Sequence, residues 1–300
     1  MDDARVAGRL AQVSKTAVLT LRARADEQNR PDRILIDPVA SEWMARLPWP
    51  AELDHWYQND AQNNLALRAD DVDSIVRRCV DHLGSRSIVE LGCGLSTRRQ
   101  RLADLNQLAW LDVDLPEMIA LRESLGAPPP HFAGSVLDLA WLSMVPKAKT
   151  PPLLIAEGLF YYLPRAEVDH LLAAIARRLP GAVILFDVVG VDDFPRLLEN
   201  SSSVGAPIAW KLERNFDEAL REFGLELIPE LDPEALTRDA LRRYWPRFNA
   251  RTRGLIYFAM GTPEVWARRS GMVLGRFPAA PLTPGPDGSA PPTPPTAPDR

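Results

Sequence analysis

The 300-residue sequence has few cysteines, few histidines and no excess of basic residues. Its two cysteines, Cys79 and Cys93, are too few for a disulfide scaffold and indicate a reducing compartment. The net charge of −5 lacks the basic footprint of a nucleic-acid-binding protein. No apolar stretch reaches the length of a membrane span, and the N-terminus has no signal-peptide core. These absences predict a cytoplasmic globular protein that binds neither nucleic acid nor membrane.

Motifs for metal and phosphate binding are also missing. The sequence has no H-E-x-x-H and no paired C-x-x-C spacings, so we predict no metal site. It has no G-x-x-x-x-G-K-[ST] loop of the kind that cradles phosphates.

Three regions differ in composition. Residues 1–80 have apolar residues at helical spacing and predict a helical extension. Residues 81–276 predict an α/β core. Residues 277–300 are rich in proline and predict a disordered tail, which is either passive or a ligand for a proline-binding partner.

Short apolar runs alternate with helical segments in the core, which is typical of βαβ units. The runs are residues 87–91, 108–115, 131–137, 153–160 and 182–189. We therefore predict an α/β fold with a doubly wound, Rossmann-like parallel sheet. The segments 225–231 and 254–262 are predicted to form an antiparallel pair at one sheet edge.

The stretch SIVELGCGLSTR (residues 87–98) contains the first predicted strand and the turn that follows it. Gly92 and Gly94 allow a tight turn and a close approach of a ligand to the backbone. Thr97 stands where a dinucleotide fingerprint needs a third glycine, which weakens a nicotinamide or flavin interpretation. An ordinary strand-to-helix turn remains an alternative.

Acidic residues flank this turn. Glu90 precedes it, and Asp112 and Asp114 end the second predicted strand, where a carboxylate can bind a ribose diol. A glycine turn with acids and no phosphate chemistry suits a positively charged nucleoside. S-adenosyl-L-methionine (SAM) is such a ligand.

Four ordered segments together resemble the leucine carboxyl methyltransferase family, which includes polyketide-type O-methyltransferases. The segments are SIVELGCGLSTRRQRL, WLDVDLPEMIALR (110–122), LLIAEGLFYYLPRAEV (153–168) and residues 13–40, which end in Asp37-Pro38. The resemblance implies a class I, SAM-dependent enzyme that methylates a carboxylate or hydroxyl oxygen.

The resemblance also implies cofactor-binding residues. It assigns Lys15 and Arg68 to the carboxylate of SAM, which needs fixed cations. It assigns Glu90, Gly92 and Gly94 to the methionine portion of the cofactor.

The remaining cofactor assignments follow the second and third strands. Asp112 is expected to bind the ribose, while Asp114 is also suited to cap the next helix. Ser135 and Val136 occupy the adenine position, where the family commonly has Asp-Leu. Asp138 is an alternative adenine contact.

Catalysis is assigned to the end of the fourth strand. The resemblance places Glu157 beside SAM, and Tyr162 is predicted to line the methyl-transfer channel, with Tyr161 as an alternative. Residues 190–215, with Arg196, and His55 are candidates for the acceptor site.

The expected function is SAM-dependent O-methylation of a small molecule. No convincing catalytic base is found, which favours a carboxylate acceptor because a carboxylate is already ionised. The alternatives are a protein C-terminal carboxyl methyltransferase, a nicotinamide-dependent oxidoreductase and a catalytically silent SAM-binding protein. The sequence leaves the acceptor and the oligomeric state open.

Overall fold

The computed structural model describes residues 15–212, 220–228 and 230–279, except for the side chain of residue 59. Six strands form one sheet in the order β3-β2-β1-β4-β5-β6. The strands are β1 (Ser87–Leu91), β2 (Ala109–Asp114), β3 (His131–Ala133), β4 (Leu153–Ala156), β5 (Val183–Val188) and β6 (Gly271–Arg276).

The first five strands are parallel, and β6 pairs antiparallel with β5 over six residues. The chain runs outward from β1 through β2 to β3, and then returns to the other side of β1 for β4 and β5. The predicted doubly wound sheet with an antiparallel edge strand is confirmed. This order creates a crevice at the carboxyl ends of β1 and β4, where ligands bind in open α/β sheets.

Ten described α-helices surround the sheet. They are α1 (Lys15–Glu27), α2 (Pro38–Met44), α3 (Asn59–Leu83), α4 (Arg98–Arg101), α5 (Pro116–Ser124), α6 (Arg165–Arg178), α7 (Phe194–Ser203), α8 (Pro233–Arg243), α9 (Ala250–Gly261) and α10 (Pro263–Trp266).

Local sequence explains how several helices begin and end. Asp37 accepts a hydrogen bond from the backbone N–H of Ala40, and Pro38 follows as the first residue of α2. The long helix α3 ends at Gly84, whose φ of +67° is the left-handed conformation that closes many helices.

Alternate residues of β1 serve two cores. Val89 and Leu91 pack with α6 on one face of the sheet, whereas Ile88 packs with α3 on the other. A third core joins α1 and α2 to α5. The described part of the N-terminal extension is therefore packed against α5 and the turn after β1; residues 1–14 lie outside the described residues.

The predicted edge pairing is wrong in part. Residues 254–262 lie mainly in the helix α9, and the antiparallel edge strand is β6 at residues 271–276. The segment 225–231 does reach this edge, where Glu226 forms a single antiparallel bridge with Arg276. Asn249 begins α9 by accepting a hydrogen bond from the Thr252 N–H, a helix-start signal that the apolar run concealed.

The ends of the predicted segments differ in smaller ways. The third strand covers residues 131–133, shorter than the predicted 131–137. Phe277, assigned to the tail, is buried, and its N–H donates to the Ala182 carbonyl. The rest of the predicted tail from residue 280 lies outside the described residues. Within the described chain, no helix is both long and apolar enough to cross a membrane.

Candidate cofactor and acceptor site

A cavity of about 1550 Å³ opens at the carboxyl ends of β1, β4 and β5. It lies at the reversal of strand order, where this type of sheet binds ligands. Small-ligand pockets usually measure roughly 300–1000 Å³. The cavity therefore has room for two bound molecules side by side.

The turn after β1 brings bare backbone to the cavity. Gly92 and Gly94 have φ angles of +62° and +47°, the region that favours glycine. A Cβ atom on Gly92 would lie 2.7 Å from Leu159 Cδ1, so a side chain there would collide with the loop after β4. The tight turn predicted from the sequence is confirmed.

Arg98 holds the acids of this edge together. The buried guanidinium of Arg98 donates to Glu90, to Asp73 Oδ1 at 2.8 Å and to Glu157. Ser96 adds a hydroxyl hydrogen bond to Glu90 Oε1 at 3.2 Å. One cation thus fixes carboxylates from α3, β1 and the end of β4.

The two acids of β2 have different surroundings. Asp112 is almost fully buried, bonds to the guanidinium of Arg122 and is not one of the cavity-lining residues. Asp114 ends β2, lines the cavity and accepts from the N–H groups of Gly94 and Leu115 at 2.6 and 2.7 Å. The structure therefore places Asp114, and not Asp112, at the cavity.

Glu157 lies just beyond β4, between two arginines. Arg68 Nε donates to Glu157 Oε1 at 2.9 Å, and Arg98 donates to Oε2. Burial alone would raise the pKa of Glu157, but the two guanidinium groups outweigh it and lower the pKa to about 2. Glu157 is therefore ionised at neutral pH.

Asp187 completes this cluster from β5. Its Oδ2 accepts from Arg68 Nη1 at 3.1 Å, and its Oδ1 accepts from the Gly158 N–H at 2.7 Å. Arg68, one of the residues assigned from the resemblance, thus lies in the cavity between two carboxylates.

Two tyrosines follow on the 3-10 segment Phe160–Tyr162. Tyr161 and Tyr162 line the cavity, and the Arg68 Nη1 to Tyr161 Oη distance is 3.3 Å. Burial raises the pKa of both phenols. Each therefore keeps its proton at neutral pH and can act as a hydrogen-bond donor.

Some predicted cofactor residues lie away from the cavity. Lys15 Nζ donates to the exposed Glu52 at 2.7 Å. Ser135 Oγ accepts from the Leu137 N–H at 3.2 Å, and the carbonyl of Val136 accepts from an indole N–H. None of these three assigned residues lines the cavity, although Thr16 and Ala17 beside Lys15 do.

Part of the cavity lining comes from residues 190–215, the segment predicted to bind the acceptor. Arg196, Leu197 and Ile208 line it. His55 also lines the cavity, and its Nε2 lies 3.1 Å from Ser203 Oγ at the end of α7.

The sequence analysis missed several residues of the site. They are Asp71, Asp73, Arg98 and Asp187. A signal existed for Asp187, since an acid inside the apolar run 182–189 needs a partner when buried. The only sequence signal for Arg98 was its place in the first motif, SIVELGCGLSTRRQRL. Among the described residues, no group of three or more His, Cys, Asp or Glu side chains could hold a metal ion.

Comparison with known proteins agrees with this geometry. The sequence profile of the leucine carboxyl methyltransferase family matches residues 17–176. The tetracenomycin polyketide synthesis O-methyltransferase TcmP of Streptomyces glaucescens is 31% identical over 184 residues, which are 60% of this chain and 67% of TcmP.

Two further similarities are more distant. The SAM-dependent methyltransferase dpfgK of Gibberella zeae is 28% identical over 183 residues, or 55% of this chain and 61% of dpfgK. The alignment thus spans less than two thirds of that relative. A solved structure from Thermobifida fusca matches with a TM-score of 0.51 and 16% identity, covering 80% of this chain and 88% of that one, which shows the fold alone.

The profile covers more than half of the chain. The matched residues include five that line the cavity: Glu90, Gly92, Gly94, Asp114 and Glu157. Because the matching family is one of methyltransferases, the alternative of a nicotinamide-dependent oxidoreductase is rejected. The chain belongs to the leucine carboxyl methyltransferase family, a family of SAM-dependent methyltransferases.

Proposed function

We propose that this protein is a SAM-dependent O-methyltransferase that transfers a methyl group to a carboxylate or hydroxyl oxygen of a small molecule. One observation carries the proposal: the glycine turn faces buried carboxylates and Arg68 in a cavity with room for a second ligand. The similarity to TcmP, an O-methyltransferase of tetracenomycin polyketide synthesis, supports a small-molecule acceptor.

The residues present fit SAM. The guanidinium of Arg68 suits the free carboxylate of the cofactor, and the acids Glu90 and Glu157 suit its α-amino group and sulfonium. Bare backbone at Gly92 and Gly94 allows the cofactor to approach closely. We take Asp114 as the ribose contact in place of Asp112, and we assign no cofactor role to Lys15, Ser135 or Val136.

When bound, SAM supplies a methyl group on a sulfonium, which is already a strong methyl donor. The chain's own task is to orient the acceptor oxygen and to exclude water. Arg68 and Arg98 fix the position of the Glu157 carboxylate in the cavity wall. Tyr162 keeps its proton and can donate a hydrogen bond to the acceptor.

We also propose that the protein works in the cytoplasm. Cys79 and Cys93 are both buried and unpaired, which fits a reducing compartment.

Isothermal titration with S-adenosylhomocysteine tests the cofactor site. Wild type is expected to bind, and Asp114→Asn should weaken binding about tenfold, or about 1.4 kcal/mol. Asp112→Asn is the matched comparison. It should change binding less than about threefold, but it should lower the melting temperature because Arg122 loses its buried partner.

The controls separate the claims. A wild-type protein that fails to bind S-adenosylhomocysteine contradicts the proposed function. Binding that depends on Asp112 and not on Asp114 would keep the function but reverse the ribose assignment.

A further inference from the structure

We propose that Asp71 accepts the hydroxyl hydrogen of the methyl acceptor, so that the site takes a largely apolar alcohol or phenol in preference to a carboxylate. This inference rests on the O-methyltransferase function proposed above. It names a base that the sequence analysis did not find.

Asp71 lies beside the cofactor cluster. It is one turn after Arg68 on α3, and residues three apart on a helix share a face. Its side chain lines the cavity although the residue is only 6% exposed. Thr237 of α8 also lines the cavity, and hydrogen bonding by its side chain lowers the pKa of Asp71.

Asp71 differs from the other buried acids of the cavity. Glu90 is paired with Arg98, and Asp187 is paired with Arg68. Asp71 has no ion pair in the part of the chain that the structure describes. A buried carboxylate without a cation is unfavourable for folding, so its retention in a ligand cavity points to a role there.

The surroundings of Asp71 suit proton transfer. Burial raises the pKa of Asp71 to about 7. The hydrogen bond from Thr237 lowers it, Asp70 on the same helix raises it, and Arg243 on α8 lowers it. A carboxyl group with a pKa near the working pH is well matched to act as a general base.

Apolar side chains from several elements line the cavity together with Asp71. They are Leu241 of α8, Ile256 of α9, Trp266 of α10, Met272 of β6, and Leu197 and Ile208 of the segment 190–215. An apolar acceptor body would fill this space. A carboxylate placed beside the unpaired Asp71 would be repelled, whereas a hydroxyl group can donate to it.

The transfer step balances as follows. The acceptor hydroxyl gives its proton to the Asp71 carboxylate while its oxygen bonds to the methyl carbon. The bond between that carbon and sulfur breaks at the same time, and its electron pair stays on sulfur. Asp71 then returns the proton to water.

Two probes with the same apolar body test the preference. Titrations at pH 8 with saturating S-adenosylhomocysteine would compare 2-naphthol with 2-naphthoate. Wild type is expected to bind 2-naphthol at least about tenfold more tightly. Asp71→Asn should reduce this ratio to about threefold or less, by weakening naphthol and strengthening naphthoate.

Asp70→Asn is the matched control, because Asp70 is adjacent on α3 but is not among the lining residues. It should keep the wild-type preference at pH 8, although losing the Asp70 charge lowers the pKa of Asp71. The rate of 2-naphthol methylation should also rise with pH through about 7 in wild type, as Asp71 ionises. In Asp71→Asn this rise should be absent.

The inference is overturned by equal or tighter binding of naphthoate to wild type, by an unchanged ratio in Asp71→Asn, or by failure of both probes to bind. These results count against the inference only if the protein has been shown to bind S-adenosylhomocysteine in the same experiment. Loss of S-adenosylhomocysteine binding by wild type contradicts the proposed function instead, so the two failures are distinguishable.

Discussion

At the scale of single residues, position along a strand decides which acid reaches the cavity. Asp112 and Asp114 are two apart on β2, so the strand period places both on one side. Asp112 lies within the strand and is covered by Arg122, whereas Asp114 ends the strand at the cavity. The sequence indicated an acid at this strand end, but periodicity alone could not choose between them.

Glu157→Gln should lower the free energy of unfolding by about 3 kcal/mol at pH 7, because Arg68 and Arg98 lose a buried charged partner. The pKa of Glu157 is lowered on folding, so the unfolded chain binds its proton more readily. Its stabilisation is therefore complete above the ordinary glutamate pKa and is lost as pH falls towards about 2.

Urea unfolding at pH 7, 4 and 3 would measure this effect. The difference between wild type and Glu157→Gln should shrink as the pH falls. Glu52→Gln is the control, since the Glu52 side chain is exposed and pairs with the partly exposed Lys15. A difference that stays constant with pH would show that Glu157 does not act through its charge.

At the scale of elements, the sequence pattern predicted the turn after β1 correctly but placed the edge strand wrongly. The glycine turn was predictable because positive φ angles and close backbone approach both favour glycine. The run 254–262 was ambiguous because a short apolar segment fits a strand or a helix. The edge strand is Gly271–Arg276 because this segment pairs with β5. That pairing joins residues distant in the sequence, so a local pattern could not reveal it.

Gly92→Ala should destabilise the fold by about 1–3 kcal/mol and weaken S-adenosylhomocysteine binding. Its φ is +62°, and the added Cβ would collide with Leu159. Gly254→Ala in α9 is the matched control, because no atom lies within 4 Å of its Cβ position and its φ is not positive. That variant should be neutral or up to about 1 kcal/mol more stable.

Thermal unfolding and titration of both variants would check this expectation. Equal effects of Gly92→Ala and Gly254→Ala would contradict the role of the turn. A Gly92→Ala protein with normal stability and normal binding would show that the loop after β4 moves aside freely.

At the scale of the whole molecule, a buried ionic network ties the N-terminal helices to the sheet. Asp37, which begins α2, accepts from Arg24 Nε at 3.0 Å and Arg101 Nη1 at 3.1 Å. Arg101 in turn pairs with Asp73 of α3. Burial is the largest effect on Arg24 and lowers its pKa to about 10, so it stays charged at neutral pH. The described helices α1 and α2 are therefore held to α3 and α4 by charge as well as by packing.

Asp37→Ala should lower the free energy of unfolding by about 3–5 kcal/mol, because two buried guanidinium groups lose their partner. Urea unfolding should remain a single transition, since α1 and α2 share a core with α5. Asp239→Ala is the control at an exposed pair with Arg242 and should change stability by about 1 kcal/mol or less. A separate early transition in wild type would contradict this coupling.

The sequence by itself determined the sheet, the glycine turn and the family. These features depend on residues close in the chain: apolar runs of strand length, Gly92 and Gly94, and motifs in a fixed order. Only the tertiary structure decided which acids face the cavity. Asp71, Asp187 and Asp114 reach it from three separate elements, while Asp112 is closed off by Arg122. Burial and pairing depend on neighbours distant in sequence, and those are set by how the elements pack.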